Sequence, residues 1–192
     1  MRYPVEHKEQ TRQRIVRAAS RRLRGRGSDG VPIADLMREL RLTHGGFYRH
    51  FSNKEQLYAE ALADGFEDVG AMLVRAAEQA LPGHELQAII DTYLSEGHCG
   101  QASDGCPFAA LVSEIGRQPR AVRTAFESAL RAHARRIGRF LPGASEEQRE
   151  RNFSLLFSGM AGTLGLARAT SDPATRRRIL EGAREVYLKA FS

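Results

Sequence analysis

Tryptophan is absent from the 192 residues, and cysteine occurs only twice. Two cysteines cannot form a disulfide framework, and their spacing to the six histidines describes no structural zinc site. No apolar run approaches the ~18 residues of a membrane span, so no membrane partner is expected. Met1 to Gln10 are charged rather than apolar, so no secretory leader is expected and a cytoplasmic location is the default. Val, Ile and Thr never gather into alternating runs, which argues against strands. Also missing are a Ser-His-Asp arrangement, a glycine loop after a strand, and paired carboxylates in an apolar setting. No enzyme, cofactor or metal site is therefore expected.

What is present is a chain that is 42% hydrophobic, enough to bury a core. Its formal net charge of +6 is unevenly spread. Residues 1–54 carry 13 Lys+Arg against 5 Asp+Glu, whereas residues 55–192 carry 16 against 18. A basic module precedes a nearly neutral body. Such asymmetry suits a polyanion, most simply nucleic acid, although a solvated basic face gives the same count.

The apolar spacing is helical throughout. Ile15, Val16, Ala19 and Leu23 form a stripe on a first helix over Thr11–Leu23, which Gly25, Gly27 and Gly30 end. Ile33, Leu36, Met37 and Leu40 make a short second helix with Pro32 at its first turn. Arg41-Leu42 leave room only for a tight turn. Thr43 caps a third short helix that carries Phe47 and Phe51 on one face. Ser52-Asn53-Lys54-Glu55 reads as a capping box, Ser52 accepting from the backbone of Glu55. A long helix then runs towards Pro82-Gly83, followed by one holding Leu86 to Leu94. A polar loop is expected over Gly97–Gly105. Further helices follow from Cys106-Pro107, from Pro119 to Leu141, from Ser145 to about Thr170, and from Asp172 to Phe191. The expected fold is all-α: an N-terminal three-helix helix-turn-helix unit over residues 1–54 and a six-helix body over residues 55–192.

Ile33 to Phe51 has helix-turn-helix logic, two short amphipathic helices across a tight turn. The second exposes Thr43, His44, Gly45, Gly46, Tyr48, Arg49 and His50. Each glycine costs a helix about 1 kcal/mol relative to Ala. The pair makes sense where backbone must approach another surface closely, such as a major-groove floor. Tyr48 and His50 have the reach for phosphate oxygens, and Arg49 for a base edge or a phosphate.

Ile15-Val16-Arg17-Ala18-Ala19, Gly30 to Leu36, and above all Phe47-Tyr48-x-His50-Phe51-x-x-Lys54-Glu55 resemble the DNA-binding domain of TetR/AcrR-type transcriptional regulators. The motif resemblance covers about residues 8–60. It implies a homodimer built by the last two helices, an effector pocket in the body, and a repressor released from a near-palindromic operator on double-stranded DNA by a small molecule. It assigns Thr43, Tyr48, His50 and Lys54 to the DNA backbone and His44, Gly45, Gly46 and Arg49 to base edges. Two positions depart from the pattern. Pro32 stands where Ser or Thr would cap the second helix and hold a phosphate. Arg41 stands where a turn glycine is usual, a left-handed site that strains an L side chain by about 1 kcal/mol.

Gly159, Gly162 and Gly165 line one helix at three-residue spacing. They serve either a close seam between subunits or packing within one. The resemblance favours the seam, with Ile179, Ala183, Val186 and Tyr187 of the last helix opposite. Candidate pocket residues are Phe66, Cys106, Phe108, Leu111, Phe126, Leu130, His133 and Phe157, all of which could equally be core. His133 is a satisfied core histidine or a polar anchor for the effector. Cys106, before Pro107 at a helix start, is either a thiol activated by the helix end or a small buried hydrophobe. Gly105 to Leu111 looks like a TetR-type subgroup in which some members answer electrophiles through a nearby cysteine. Two rival functions follow: a thiol-based electrophile sensor on this scaffold with Cys99 as resolving thiol, and a small helical enzyme whose basic N-terminus is incidental.

Overall fold

The computed structural model describes residues 5–191, with the first four residues of the charged N-terminal stretch lying outside it. Every regular element among the described residues is helical. Helix α1 (Val5–Arg26) extends beyond the expected span at both ends and buries Ile15, Ala19 and Leu23. Gly27, at φ 75°, turns the chain out of it. Helix α2 (Ile33–Glu39) buries Leu36 and Met37. Pro32 is its N-cap, one position earlier than expected, and supplies no side-chain cap.

The turn after α2 closes as a Schellman motif. The Leu42 N–H donates to the Met37 carbonyl at 2.8 Å and the Arg41 N–H to the Arg38 carbonyl at 3.0 Å. Arg41 takes φ 58° and is the one non-glycine residue with positive φ among the described residues. The left-handed turn position that the resemblance implies is therefore occupied by Arg41. The third helix is not an α-helix but a 3₁₀ segment, His44–Arg49. Two consecutive glycines remove most of the propensity that a six-residue helix would need. Thr43 still caps it, accepting from the Gly46 N–H at 3.2 Å.

The capping box before α3 (Lys54–Glu78) is shifted by one residue. Asn53, not Ser52, is the N-cap, accepting from the Gln56 N–H at 2.8 Å. Gln56 reaches back to the Ser52 N–H at 2.8 Å. Helix α3 is the spine of the molecule. It packs most extensively on α7 (Arg120–Gly138) and also against α1 and α4 (Glu85–Tyr93). Its long stripe, Leu57 to Ala77, makes the core beneath the head continuous with that of the body.

The expected polar loop over Gly97–Gly105 is mostly helical. Ser95 caps α5 (Glu96–Gly100), accepting from the His98 N–H at 3.1 Å, and a 3₁₀ turn covers Ala102–Asp104. Ser95-Glu96 carries the start signal, a capping hydroxyl and an acidic first turn. Helices α6 (Pro107–Ile115), α8 (Glu146–Ala169) and α9 (Pro173–Phe191) complete the body. Helix α8 lies between α7 and α9 and touches α6. None of the described helices is long and apolar enough to cross a membrane.

Candidate nucleic-acid interface and effector site

The head is built around two rings. Phe47 and Phe51 stack at 5.3 Å between centroids, and neither is more than 2% exposed. Anchoring the 3₁₀ segment by Phe47 turns its other face outward. Thr43, His44, Gly45, Tyr48 and Arg49 are exposed there, as is Lys54 at the first position of α3. Tyr48 is 65% exposed and makes edge contacts with the His44 and Phe47 rings. A Cβ on Gly45 would meet nothing within 4 Å among the described residues, so no intramolecular contact asks for glycine there. A Cβ on Gly46 would stand 3.2 Å from Thr43 Oγ1 and 3.7 Å from Met37 Cε, a tight fit over the preceding helix.

His50 is less free than the exposed set. It is half-buried beside Phe51, and its Nδ1 has no hydrogen-bond partner among the described residues. Burial, with Lys8 and Arg12 nearby, lowers its pKa. Arg12 is itself committed, lying 4.6 Å over the Phe51 ring and ion-paired with Glu60.

Contacts that the sequence did not suggest join the head to the body. The Ser28 N–H donates to Glu114 Oε2 of α6 at 2.7 Å. Arg24, 4% exposed, reaches the Gly105 carbonyl at 3.2 Å and Asp68 of α3 at 3.1 Å. Arg21 pairs with Asp104 at 3.1 Å. At Gly65 the three elements meet so closely that a Cβ would sit 2.7 Å from the Pro107 ring and 3.2 Å from Ser20 Oγ.

Five of the candidate pocket residues cluster. Phe157 lies 4.9 Å and Phe66 5.6 Å from the His133 ring, Phe126 lies 5.6 Å from Phe66, and Phe108 bridges Phe126 at 6.0 Å and Phe157 at 5.5 Å. Sequence reasoning missed Phe153, which stacks on Phe157 at 5.0 Å and touches His133 at 5.9 Å. Its i, i+4 relation to Phe157 was the available signal. Leu111 is fully buried and Leu130 half-buried in the surrounding core.

His133 is not a satisfied core histidine. It is 3% exposed, and neither ring nitrogen has a partner among the described residues. Burial, aided by Arg136, pushes its pKa down to about 4.

Cys106 stands in a different polar cluster, its N–H donating to His98 Nε2 at 3.2 Å. It is the N-cap of α6 with Pro107 after it, as the sequence implied, but it is wholly buried. Burial raises its pKa, opposite to what a thiol activated by the helix end requires. A helix end offers about 0.3–1 kcal/mol to a thiolate, and desolvation outweighs that here. Cys99 is also buried, and both thiols are free.

The glycine line divides. A Cβ on Gly159 would meet Tyr187 of α9 in the same chain, its hydroxyl 2.5 Å away, so internal packing accounts for that glycine. Gly165 comes only within 4.0 Å of the Ala109 carbonyl. Gly162 meets nothing within 4 Å among the described residues and shares an exposed stripe with Leu155, Ser158 and Leu166. On α9, Val186 is 61% exposed while Ile179, Ala183 and Tyr187 are half-buried.

Comparison with known proteins bears on the whole chain. Residues 15–61 match the profile described as bacterial regulatory proteins, tetR family, and residues 82–183 match the tetracyclin repressor-like C-terminal domain. An uncharacterised HTH-type transcriptional regulator of Mycobacterium tuberculosis is 33% identical over 106 residues, 55% of this chain and 53% of the relative. HTH-type transcriptional regulator TtgR of Pseudomonas putida is 36% identical over 73 residues, 38% of this chain and 34% of its own length. The chain thus spans about half the length, or less, of these relatives. Among solved structures, a TetR-family transcriptional regulator from Cytophaga hutchinsonii superposes with a TM-score of 0.76 at 18% identity, covering 97% of both chains. The reduced form of E. coli NemR gives 0.78 at 16% identity, covering 95% of this chain and 97% of its own. These two similarities show a shared fold. With both parts of the chain matched by profiles of one family, the protein belongs to the TetR family of transcriptional regulators.

Proposed function

We propose that this protein is a homodimeric, cytoplasmic repressor whose residues 1–54 bind double-stranded DNA and whose residues 55–192 dimerise and receive a small-molecule effector. The observation that carries the first part is the outward face of the 3₁₀ segment. It presents Thr43, Gly45, Tyr48 and Arg49 from a basic module, on a base locked by Phe47 and Phe51. Thr43, Tyr48, His50 and Lys54 would hold phosphates, while His44, Gly45, Gly46 and Arg49 meet base edges. Partial burial makes His50 the weakest member of that set. In a two-fold dimer, two such segments would enter successive major grooves of a near-palindromic site.

The second copy would dock on the exposed stripe of α8 around Gly162, beside Val186 of α9. The effector would enter the aromatic cluster around His133. Cys106 is left out of this proposed site because its thiol is buried and its pKa raised. Binding against α3, α7 and α8 would favour a subunit arrangement with a different spacing between heads. Glu114 to Ser28 and Arg24 to Gly105 are the contacts through which that shift would reach α1.

The test is duplex binding by fluorescence anisotropy, using genomic fragments and then the selected site. Lys54→Ala should weaken all sequences alike, about tenfold for a lost charged contact. Arg49→Ala should change the preference between sequences. Failure to bind any duplex would overturn the proposal.

A further inference from the structure

A histidine in an apolar cluster usually earns its place through a hydrogen bond, and His133 has none among the described residues. Its ring is held by Phe157, Phe66 and Phe153, with Phe126 and Phe108 behind them. Leaving both nitrogens unpaired in such a place is unfavourable, and a phenylalanine would pack there without that penalty. Packing therefore does not account for the residue.

Beside it runs a groove of about 360 Å³ between α3 and α7, lined by Ala63, Phe66, Glu67, Ala129, His133 and Arg136. Arg136 crosses to Glu67 at 2.8 Å, bridging α7 to α3. On its way it passes Gly70, where a Cβ would lie 3.2 Å from both Arg136 Cδ and His133 Nδ1. The glycine leaves room for the arginine arm and the imidazole together. The groove is small for a ligand site, suited to a one-ring molecule.

We propose that this groove and the imidazole at its wall receive a small neutral aromatic molecule with a hydroxyl group, a phenol, whose ring packs on Phe66 and whose hydroxyl pairs with His133. The proposal rests on the body being the effector site and gives that site a ligand class. The ring is neutral near pH 7, because burial pushes its pKa to about 4. A neutral imidazole has one donor and one acceptor, and a hydroxyl can answer either. A carboxylate would find no charge on His133, and Arg136 is already paired with Glu67. A quaternary ammonium would have the Phe66 ring but would stand beside the Arg136 cation and leave the imidazole unpaired. Toluene would fill the same space and also leave it unpaired. Arg136 and Glu67 both line the groove, 35% and 68% exposed, so the pair can shift outward together for entry and remain intact.

The experiment is calorimetric titration of the full chain with phenol, toluene, benzoate and phenyltrimethylammonium. Phenol should bind tightest, about tenfold over toluene for one buried hydrogen bond. His133→Phe should keep the helical circular dichroism of the parent, with equal or raised thermal stability, while phenol and toluene become equivalent. His133→Gln, which retains a donor and an acceptor, should restore part of the preference. Phenol binding no better than toluene, a preference that survives His133→Phe, or tighter binding of benzoate or the ammonium would each overturn the proposal. Should His133→Phe not fold, ¹⁵N NMR of the parent decides: phenol must move the His133 ring nitrogen signals, and unmoved signals overturn it. DNA binding is measured separately on the same samples. Duplex binding without a phenol preference overturns the ligand class and leaves the regulator intact. A His133-dependent phenol preference without duplex binding supports the site and overturns the regulator.

Discussion

The head and the body place polar chemistry in opposite ways. In the head, the polar side chains of a six-residue segment stand in water over a buried base that includes Phe47, Phe51 and Met37. In the body, one imidazole is buried among phenylalanines with neither nitrogen paired among the described residues. The first arrangement costs little until a polyanion arrives, because water satisfies the groups meanwhile. The second is unfavourable in the free protein and is relieved only by something that enters. A surface site is thus tuned by charge and screening, a buried one by desolvation.

The largest effect that separates the two regions should come from Phe47→Ala. Truncating a ring 1% exposed at the base of the head should cost about 3–5 kcal/mol. Hydrogen exchange should show α1 and α2 losing protection while α8 and α9 keep theirs. Equal loss in both would mean that head and body unfold as one unit, through the shared spine of α3.

Acid should strike the body next. The folded His133 pKa is depressed to about 4, so between pH ~6.5 and ~4 the unfolded chain takes up a proton that the folded chain refuses. Stability conferred by this group is complete above pH ~6.5 and is lost as pH falls, reaching about 3 kcal/mol at pH 4. His98 and His50 are also lowered and add in the same direction. Urea denaturation at pH 7 and pH 4 should show the loss, and His133→Phe should remove most of it. An unchanged pH dependence in that variant would mean that His133 is not buried neutral.

Much of the head was legible because its signals are local. The i, i+4 pair Phe47/Phe51 and the cap at Thr43 each depend on neighbours within a few residues, whereas the positive φ at Arg41 was implied by the family resemblance. Where local competition was close, the sequence misled by a small step. Asn53 displaced Ser52 as cap because Gln56 can close the box from its own N3 position, and two glycines turned an α-helix into a 3₁₀ segment. The joint was invisible, since Ser28 and Glu114 lie 86 residues apart and nothing near either announces the other. Cys106 shows the same limit. Its position at a helix start could be read, but its burial depends on elements from across the chain.

Two smaller effects sharpen the contrast within the body and within the head. Gly162→Leu should wedge a docked second copy away, costing the dimer about 1–3 kcal/mol by overpacking. Sedimentation should show dissociation, whereas Gly159→Ala, which collides with Tyr187 in the same chain, should destabilise the fold and leave association comparatively intact. Loss of the dimer in Gly159→Ala but not Gly162→Leu would reverse the assignment of the two glycines. Smallest of all, Arg41→Gly should relieve left-handed strain and stabilise the head by about 0.5–1 kcal/mol, read as a raised denaturation midpoint. A lowered midpoint would show that the Arg41 side chain holds more than its backbone costs.

The most direct measurement of the division of labour is the salt dependence of duplex binding by the full chain, with and without phenol. A dimer that neutralises about 8 phosphates should lose affinity with a log–log slope near −7. Phenol should lower the affinity at every salt concentration without abolishing that slope, since, as proposed, the ligand acts on the body and the head holds the phosphates. Salt-independent binding, or no binding to any duplex, would contradict the central claim.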